Sequence, residues 1–224
     1  MKHEQPQGFI SYRGPNLDDD TILARSNEHF ARITARRSVR HFSSRPVPKA
    51  VIEKIILAAA SAPSGAHKQP WSFCAISDPS MKVQIRQAAE QEEKRNYEGR
   101  MPESWLKDLE PFDTNWEKPM LEIAPWLIVV FKQTFTFGEQ EAKKKNYYVT
   151  ESVGIATGFL LGAVHEAGLV ALTHTPSPMN FLERMLKRPA NEKAFLLIPV
   201  GHPDPNAMVP DLVRKTAAEV IHWY

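Results

Sequence analysis

The run PWLIVVFKQ at 125–133 constrains this chain more than any other stretch. Its apolar residues follow one another without a polar break, over a length that suits a strand better than a helix. A strand with one solvated face alternates apolar and polar side chains, whereas a continuous apolar run belongs to a strand covered on both faces. The rest of the chain must therefore supply cover for two sides of a sheet. At 224 residues with 42% apolar content, it is long enough to do so around one sizeable core.

That cover is legible as helices. SNEHFARITARRSV (26–39) predicts a helix with Ser26 as its cap and Phe30, Ile33 and Val39 turned inward. KAVIEKIILAAASA (49–62) puts Ile52, Ile55, Ile56 and Ala59 on one face before Pro63, Ser64 and Gly65 break it. A long amphipathic pattern runs from Ser80 to about Arg100 and stops at Met101-Pro102, with a short helix over 103–109. Residues 81–118 are much more polar than their surroundings and read as laid over the surface. A further helix is expected at 143–167, closed by Gly168, with Gly154, Gly158 and Gly162 forming a stripe that permits close helix packing. WSFCAIS (71–77), LVALT (169–173) and KAFLLIPVG (193–201) read as strands, and NFLERMLK (180–187) as a short helix. The tail, ending EVIHWY, is β-prone without a partner nearby and is expected to pair on another subunit. The expectation is one domain over 1–224, with a polar lid at about 88–118 and an exchanging tail at about 205–224.

Several function classes drop out. A formal charge of +2, with acidic and basic residues interspersed, does not demand nucleic acid or an anionic membrane. Cys74 is the only cysteine, which excludes an intrachain disulfide and points to a reducing compartment. MKHEQPQGFISYRG has no signal-peptide core, and VGIATGFLLGAV (153–164) falls short of the ~18 to 20 apolar residues of a span, so the cytoplasm is the expected location. His67, His165 and His174 have no metal-ligand spacing, and no metal is expected.

Two segments carry candidate chemistry. In RRSVR, Arg36 and Arg40 would share a helix face and could grip a phosphate dianion together with Arg37 and Ser38, although a solvated helix end explains the same residues. In APSGAHKQPW (62–71), the turn at Pro63, Ser64 and Gly65 could bring main-chain N–H groups close to a flat or anionic ligand, or simply connect two elements.

Taken in order, RRSVRHF, PKAVIEKII, AASAPSGAHKQPWSF, LTHTPSP, LLIPVGHP and VPDLVRK resemble the nitroreductase family of flavin enzymes, over roughly residues 28–218. The resemblance implies an α+β fold with a central, mainly antiparallel sheet flanked by helices, in an intertwined homodimer holding FMN between its subunits. It implies FMN contacts at Arg36, Arg37, Ser38, Arg40, Pro63, Ser64, Gly65, Ala171, Leu172, Thr173 and Arg214. Within the family, EEKRNY followed by TNWEK resembles the lid of the iodotyrosine deiodinase subgroup, where Glu93, Tyr97 and Lys118 match the residues that bind the amino-acid end of a halotyrosine. An N–H near Ala66 matches the donor to the phenolate. Thr173 matches the hydroxyl that donates to flavin N5 and favours one-electron steps, with Thr175 close enough to be confused with it. The implied activity is reductive dehalogenation of halotyrosines, fed by an external electron donor such as NADPH acting through a reductase. A general nitroarene or quinone reductase and a non-catalytic flavin binder remain the alternatives.

The residues support the lid assignment independently of the resemblance. Glu93 and Tyr97 are i, i+4, and a zwitterion needs both signs: Glu93 to accept from the ammonium, Lys118 and the Tyr97 hydroxyl to donate to the carboxylate. In an empty protein such charges are expected to stay solvated.

Overall fold

The structure, a computed structural model, describes residues 8–138 and 142–224. The chain divides into two compact units, Met1–Ala35 and Arg36–Tyr224. In the first, helix α1 (Asp19–Ala35) starts earlier than the sequence suggests. Asp18 caps it, accepting from the Thr21 N–H at 2.8 Å, while Ser26 lies inside the helix and donates to the Ile22 carbonyl. No residue of α1 is buried, so Phe30 and Ile33 do not face inward, and the helix ends before RRSVR.

The second unit is built on a four-stranded, wholly antiparallel sheet of order β1-β2-β6-β5, with β1 at Trp71–Ile76, β2 at Trp126–Gln133, β5 at Val170–Ala171 and β6 at Glu192–Gly201. The continuous apolar run lands in the central strand β2, where Leu127 to Phe131 are all fully buried. Its residues divide by parity. Ile128 and Val130, with Ile198 and Val200 of β6, pack under helices α2 (Lys49–Ala60) and α6 (Val149–Glu166). Leu127, Val129 and Phe131 pack on the other side against Ile85 and Ala89 of α3 (Pro79–Arg95), Leu121 of the short helix α5 (Met120–Ile123) and Phe181 and Leu182 of α7 (Asn180–Met185). Each fully buried side chain of this size contributes about 1.5–3 kcal/mol, and it takes both layers to bury β2. The α+β expectation, with an antiparallel sheet flanked by helices, holds.

Three local expectations change. The polar stretch 81–118 is not merely superficial, because α3 drives Ile85 and Ala89 into the second core. Beyond α3 a π-turn at Asn96–Arg100 leads into α4 (Glu103–Leu109). The helix expected from 143 begins only at Val149: Lys143–Lys145 forms β4, paired with β3 at Phe135–Phe137, and Tyr148 adopts a left-handed conformation (φ 52°) as the chain turns into α6. Lysine has good helix propensity, but here Lys143 packs its ammonium 5.0 Å from the Phe135 ring, and that cross-strand contact wins. Gly168 closes α6 as expected, at φ 72°, its N–H bonded to the His165 carbonyl. Third, the tail forms a single helical turn, α8 (Ala217–Val220), and ends with Trp223 and Tyr224 exposed. Among the described residues no helix is long and apolar enough to cross a membrane.

Candidate active site

Glu93 lies in the last turn of α3, Tyr97 sits in the π-turn that follows, and Lys118 comes from the loop that leads into α5. These three line one cavity of about 480 Å³ together with Arg40, Leu172, Thr173 and Thr175. The Lys118 ammonium lies 3.5 Å from the Glu93 carboxylate and 5.6 Å from the centre of the Tyr97 ring. It also donates to the Asn115 carbonyl and, at 3.4 Å, to the Thr114 hydroxyl, while the Tyr97 hydroxyl donates to the Thr114 carbonyl at 3.2 Å. Contrary to the expectation of solvated charges, Glu93 is 6% exposed and Lys118 3%.

Burial dominates the electrostatics of this pair. It pushes the Glu93 carboxyl up, against the pull of Lys118, and pushes the Lys118 ammonium down, against the pull of Glu93. Both shifts oppose charge, so the attraction between the two does not repay the desolvation of both. The Tyr97 phenol is likewise raised, first by burial and then by the nearby Glu93 charge. The buried Glu93–Lys118 pair in this cavity thus consists of an anion and a cation that are each short of compensation.

Thr173 and Thr175 sit on the loop that leaves β5, both exposed to the cavity. His174 between them is pinned to β6 by reciprocal main-chain bonds with Leu197, at 3.0 and 2.9 Å. Its Nε2 is sealed from solvent without a partner, and burial, with Lys118 and Arg40 nearby, pushes its pKa down to about 3.

RRSVR is extended rather than helical, which overturns the shared-face reading of Arg36 and Arg40. Ser38 forms a parallel bridge with Ala171, and the Val39 N–H bonds the Ala171 carbonyl at 3.2 Å while the Val39 side chain is buried. That edge pairing outcompetes a helix and aligns the basic segment with the Thr173 loop. Arg214 reaches the same segment, donating to the Arg36 carbonyl at 3.0 Å, and Arg37 donates to the Pro210 carbonyl. None of Arg36, Arg37, Arg40 and Arg214 pairs with a carboxylate among the described residues.

Pro63, Ser64, Gly65 and Ala66 do not line this cavity. Their loop is tightly wound: Ala66, His67 and Gln69 all have positive φ, a conformation that costs non-glycine residues on the order of 1–3 kcal/mol each. It is held by the Ser64 hydroxyl accepting from the Gln69 N–H at 2.9 Å and by Gly65, whose missing side chain leaves room for the Tyr148 ring.

Sequence reasoning missed Asn96, whose buried amide donates to the Ser177 carbonyl at 2.9 Å, and passed over His174 once no metal spacing was found. Its place inside LTHTP, beside a candidate active-site threonine, was the available signal. Among the described residues no cluster of three or more His, Cys, Asp or Glu could hold a metal.

Comparison with known proteins adds three findings. The profile of the nitroreductase family matches residues 33–202. The chain is 56% identical over 221 residues to an iodotyrosine deiodinase of Haliscomenobacter hydrossis, covering 99% of this chain and all of that protein, and 47% identical over 222 residues to iodotyrosine deiodinase 1 of Rattus norvegicus, covering 99% and 78%. Its fold superposes with a TM-score of 0.73, at 31% identity and over 88% of this chain and 98% of the other, on a crystal structure of oxidized iodotyrosine deiodinase bound to FMN and 3-iodo-L-tyrosine.

Proposed function

The chain belongs to the nitroreductase family, and from that premise we propose that it is an FMN-dependent iodotyrosine deiodinase that selects its substrate by the zwitterion. It is an oxidoreductase of the deiodinase type, with FMN as its cofactor. The residues fit FMN: Arg36, Arg37 and Arg214, none paired with a carboxylate among the described residues, form a donor set for a phosphate dianion. Arg36, Arg37, Ser38 and Arg214 would hold that phosphate. Arg40, Ala171, Leu172 and Thr173 would face the ring system, and the Thr173 hydroxyl would donate to it.

The observation that carries the substrate reading is the buried Glu93–Lys118 pair at 3.5 Å in the cavity that also holds Tyr97 and Thr173. A ligand ammonium takes Glu93 as its acceptor, and a ligand carboxylate takes Lys118 and the Tyr97 hydroxyl as donors. The arms of this clamp come from both ends of the segment 93–118, so an occupied clamp holds that segment, the lid, over the reacting ring and keeps water out. In the reaction the carbon–halogen bond breaks, a carbon–hydrogen bond forms and halide leaves, which consumes two electrons and one proton. Bound FMN supplies the electrons, and an external donor restores them. The protein orients the ring and donates hydrogen bonds; no side chain acts as nucleophile.

A second copy of the chain completes the site in this reading. The 63–66 loop, which carries the Ala66 N–H assigned to the phenolate, lies away from the cavity of its own chain and would reach that of the partner. The face for such a dimer is α6, where Ile155 and Phe159 are 45% and 47% exposed beside Gly154 and Gly158, and nothing lies within 4 Å of a side chain added at either glycine. The exposed tail at 205–224 would exchange across it. A reducing, cytoplasmic setting suits Cys74, the chain's only cysteine.

The test is a titration of bound-flavin fluorescence with 3-iodotyrosine and, in parallel, 2-iodophenol, followed by anaerobic turnover of the reduced protein with iodide measured. The amino acid should bind at least about tenfold more tightly, the scale of one charge-assisted hydrogen bond, and iodide should be released. Equal, weak responses would refute the clamp, and purified protein without flavin would refute the cofactor assignment.

A further inference from the structure

Lys118 is held by more than its salt bridge. Its main-chain N–H donates to Glu90 Oε1 at 2.7 Å, and its carbonyl accepts from the Leu121 N–H at 3.0 Å, so the residue is fixed on both sides. The same Glu90 oxygen accepts from Arg86 Nε at 2.8 Å, and Arg86 Nη1 donates to Glu122 at 3.0 Å. One turn earlier, the buried Lys82 ammonium donates to the carbonyls of Glu122 and Ala124, at 2.9 and 2.8 Å. Lys82, Arg86 and Glu90 are each four residues apart, so they form one stripe of α3 facing the segment 118–124. Glu93, in the last turn of the same helix, and Tyr97, in the π-turn that follows it, line the cavity. Helix α3 and the π-turn that follows it therefore carry two arms of the clamp, and the polar stripe of α3 grips the segment carrying the third.

We propose that Glu90 is the positioning residue for Lys118: it fixes the lysine main chain on α3 and adds a second carboxylate to offset the buried ammonium, with Arg86 orienting it. This rests on the clamp reading above. The Glu90 side chain is 16% exposed, so its charge, shared with Arg86 at 2.8 Å, acts in a sheltered setting beside the Lys118 main chain. Burial, with Arg40, pushes the Lys118 ammonium towards its neutral form; Glu93 and, more weakly, Glu90 of α3 oppose that, and Tyr97 and His174 complete its surroundings. Glu93 is the acceptor a ligand ammonium claims. When it does, Glu90 is the carboxylate left to Lys118 from within the protein. A lid pinned at Glu90 and Lys118 also has its freedom confined to the residues between them.

Glu90→Gln separates the two effects, since the amide oxygen still accepts from the Lys118 N–H while the charge is gone; Glu90→Ala removes both. Each variant is purified with its flavin and titrated with 3-iodotyrosine and with 2-iodophenol across roughly pH 6 to 10, where lysine and the ligand phenols titrate. Because both ligands carry the phenol, the ratio of their affinities isolates the clamp. In Glu90→Gln the ratio should fall as pH rises, starting at lower pH than in the parent and reaching about a tenfold loss. Glu90→Ala should add a loss present at every pH. A parental ratio at every pH in both variants would overturn the proposal, as would an equal loss for the two ligands, which marks Glu90 as structural only. A parent that fails to distinguish the ligands would show instead that the clamp reading itself has failed, and the role of Glu90 with it.

Discussion

Glu93→Gln is the substitution that tests the buried pair most directly, because it keeps the side chain's shape and removes only its charge. In the parent, Glu93 is 6% exposed and 3.5 Å from the Lys118 ammonium. At an effective dielectric constant of 20, two unit charges at that distance attract by about 5 kcal/mol, which the desolvation of both more than takes back. An incoming zwitterion gains a charge-assisted bond from its ammonium to Glu93, about 1.5–3 kcal/mol, and loosens the Lys118–Glu93 contact to do so. The variant loses the first term and is spared the second, so the net loss for 3-iodotyrosine should lie near the low end, about tenfold in affinity. Affinity for 2-iodophenol, which has no ammonium, should stay unchanged, and the FMN content with it. The assay is the paired fluorescence titration, run beside a thermal melt. Leaving Lys118 without its counter-charge should cost about 3 kcal/mol of stability at neutral pH. An unchanged ratio of the two affinities in a folded, flavin-loaded variant would refute the assignment of Glu93 to the ammonium.

Two further outcomes follow from other parts of the fold. The His174 imidazole is neutral when folded, its pKa lowered from 6.5 to about 3, so the stability it contributes is present above pH 6.5 and lost as pH falls from there towards 3. His174→Leu should flatten that acid limb in melting temperatures measured across it, and an unaltered slope would place the acid sensitivity elsewhere. Gly158→Leu adds a side chain into open space on α6, so the single chain should fold; sedimentation velocity should show monomer with depleted flavin, and a parental dimer would refute α6 as the interface.

Much of the fold was legible because burial leaves a pattern. The run at 125–133 announced a strand covered on both faces, and β2 divides its side chains between two cores by parity. What failed was set by contacts that local patterning does not encode. RRSVR reads as a helix end by propensity, yet an edge bridge to Ala171, over a hundred residues away in the chain, makes it extended. Lys143–Lys145 reads as helix, yet pairs with Phe135–Phe137. Phe30 and Ile33 read as core residues, yet stay exposed in the single chain. At the site, Glu93, Tyr97 and Lys118 could be named from type and spacing, but their burial could not, since a sequence window this polar looks solvated.

That burial bears on selectivity. In the empty cavity Glu93 and Lys118 form a buried pair in which each charge is under-compensated by the other. A ligand bearing only a carboxylate would satisfy Lys118 and compete away its contact with Glu93, leaving the Glu93 carboxylate buried without its counter-charge. A ligand bearing only an ammonium would strand Lys118 in the same way. A zwitterion alone engages both and leaves the total charge unchanged, with opposite signs alternating from Glu93 through the ligand to Lys118. The discrimination then comes less from the strength of either contact than from the cost of satisfying one without the other, which is how a site made of two ordinary side chains can reject ligands that differ from a halotyrosine by a single charged group.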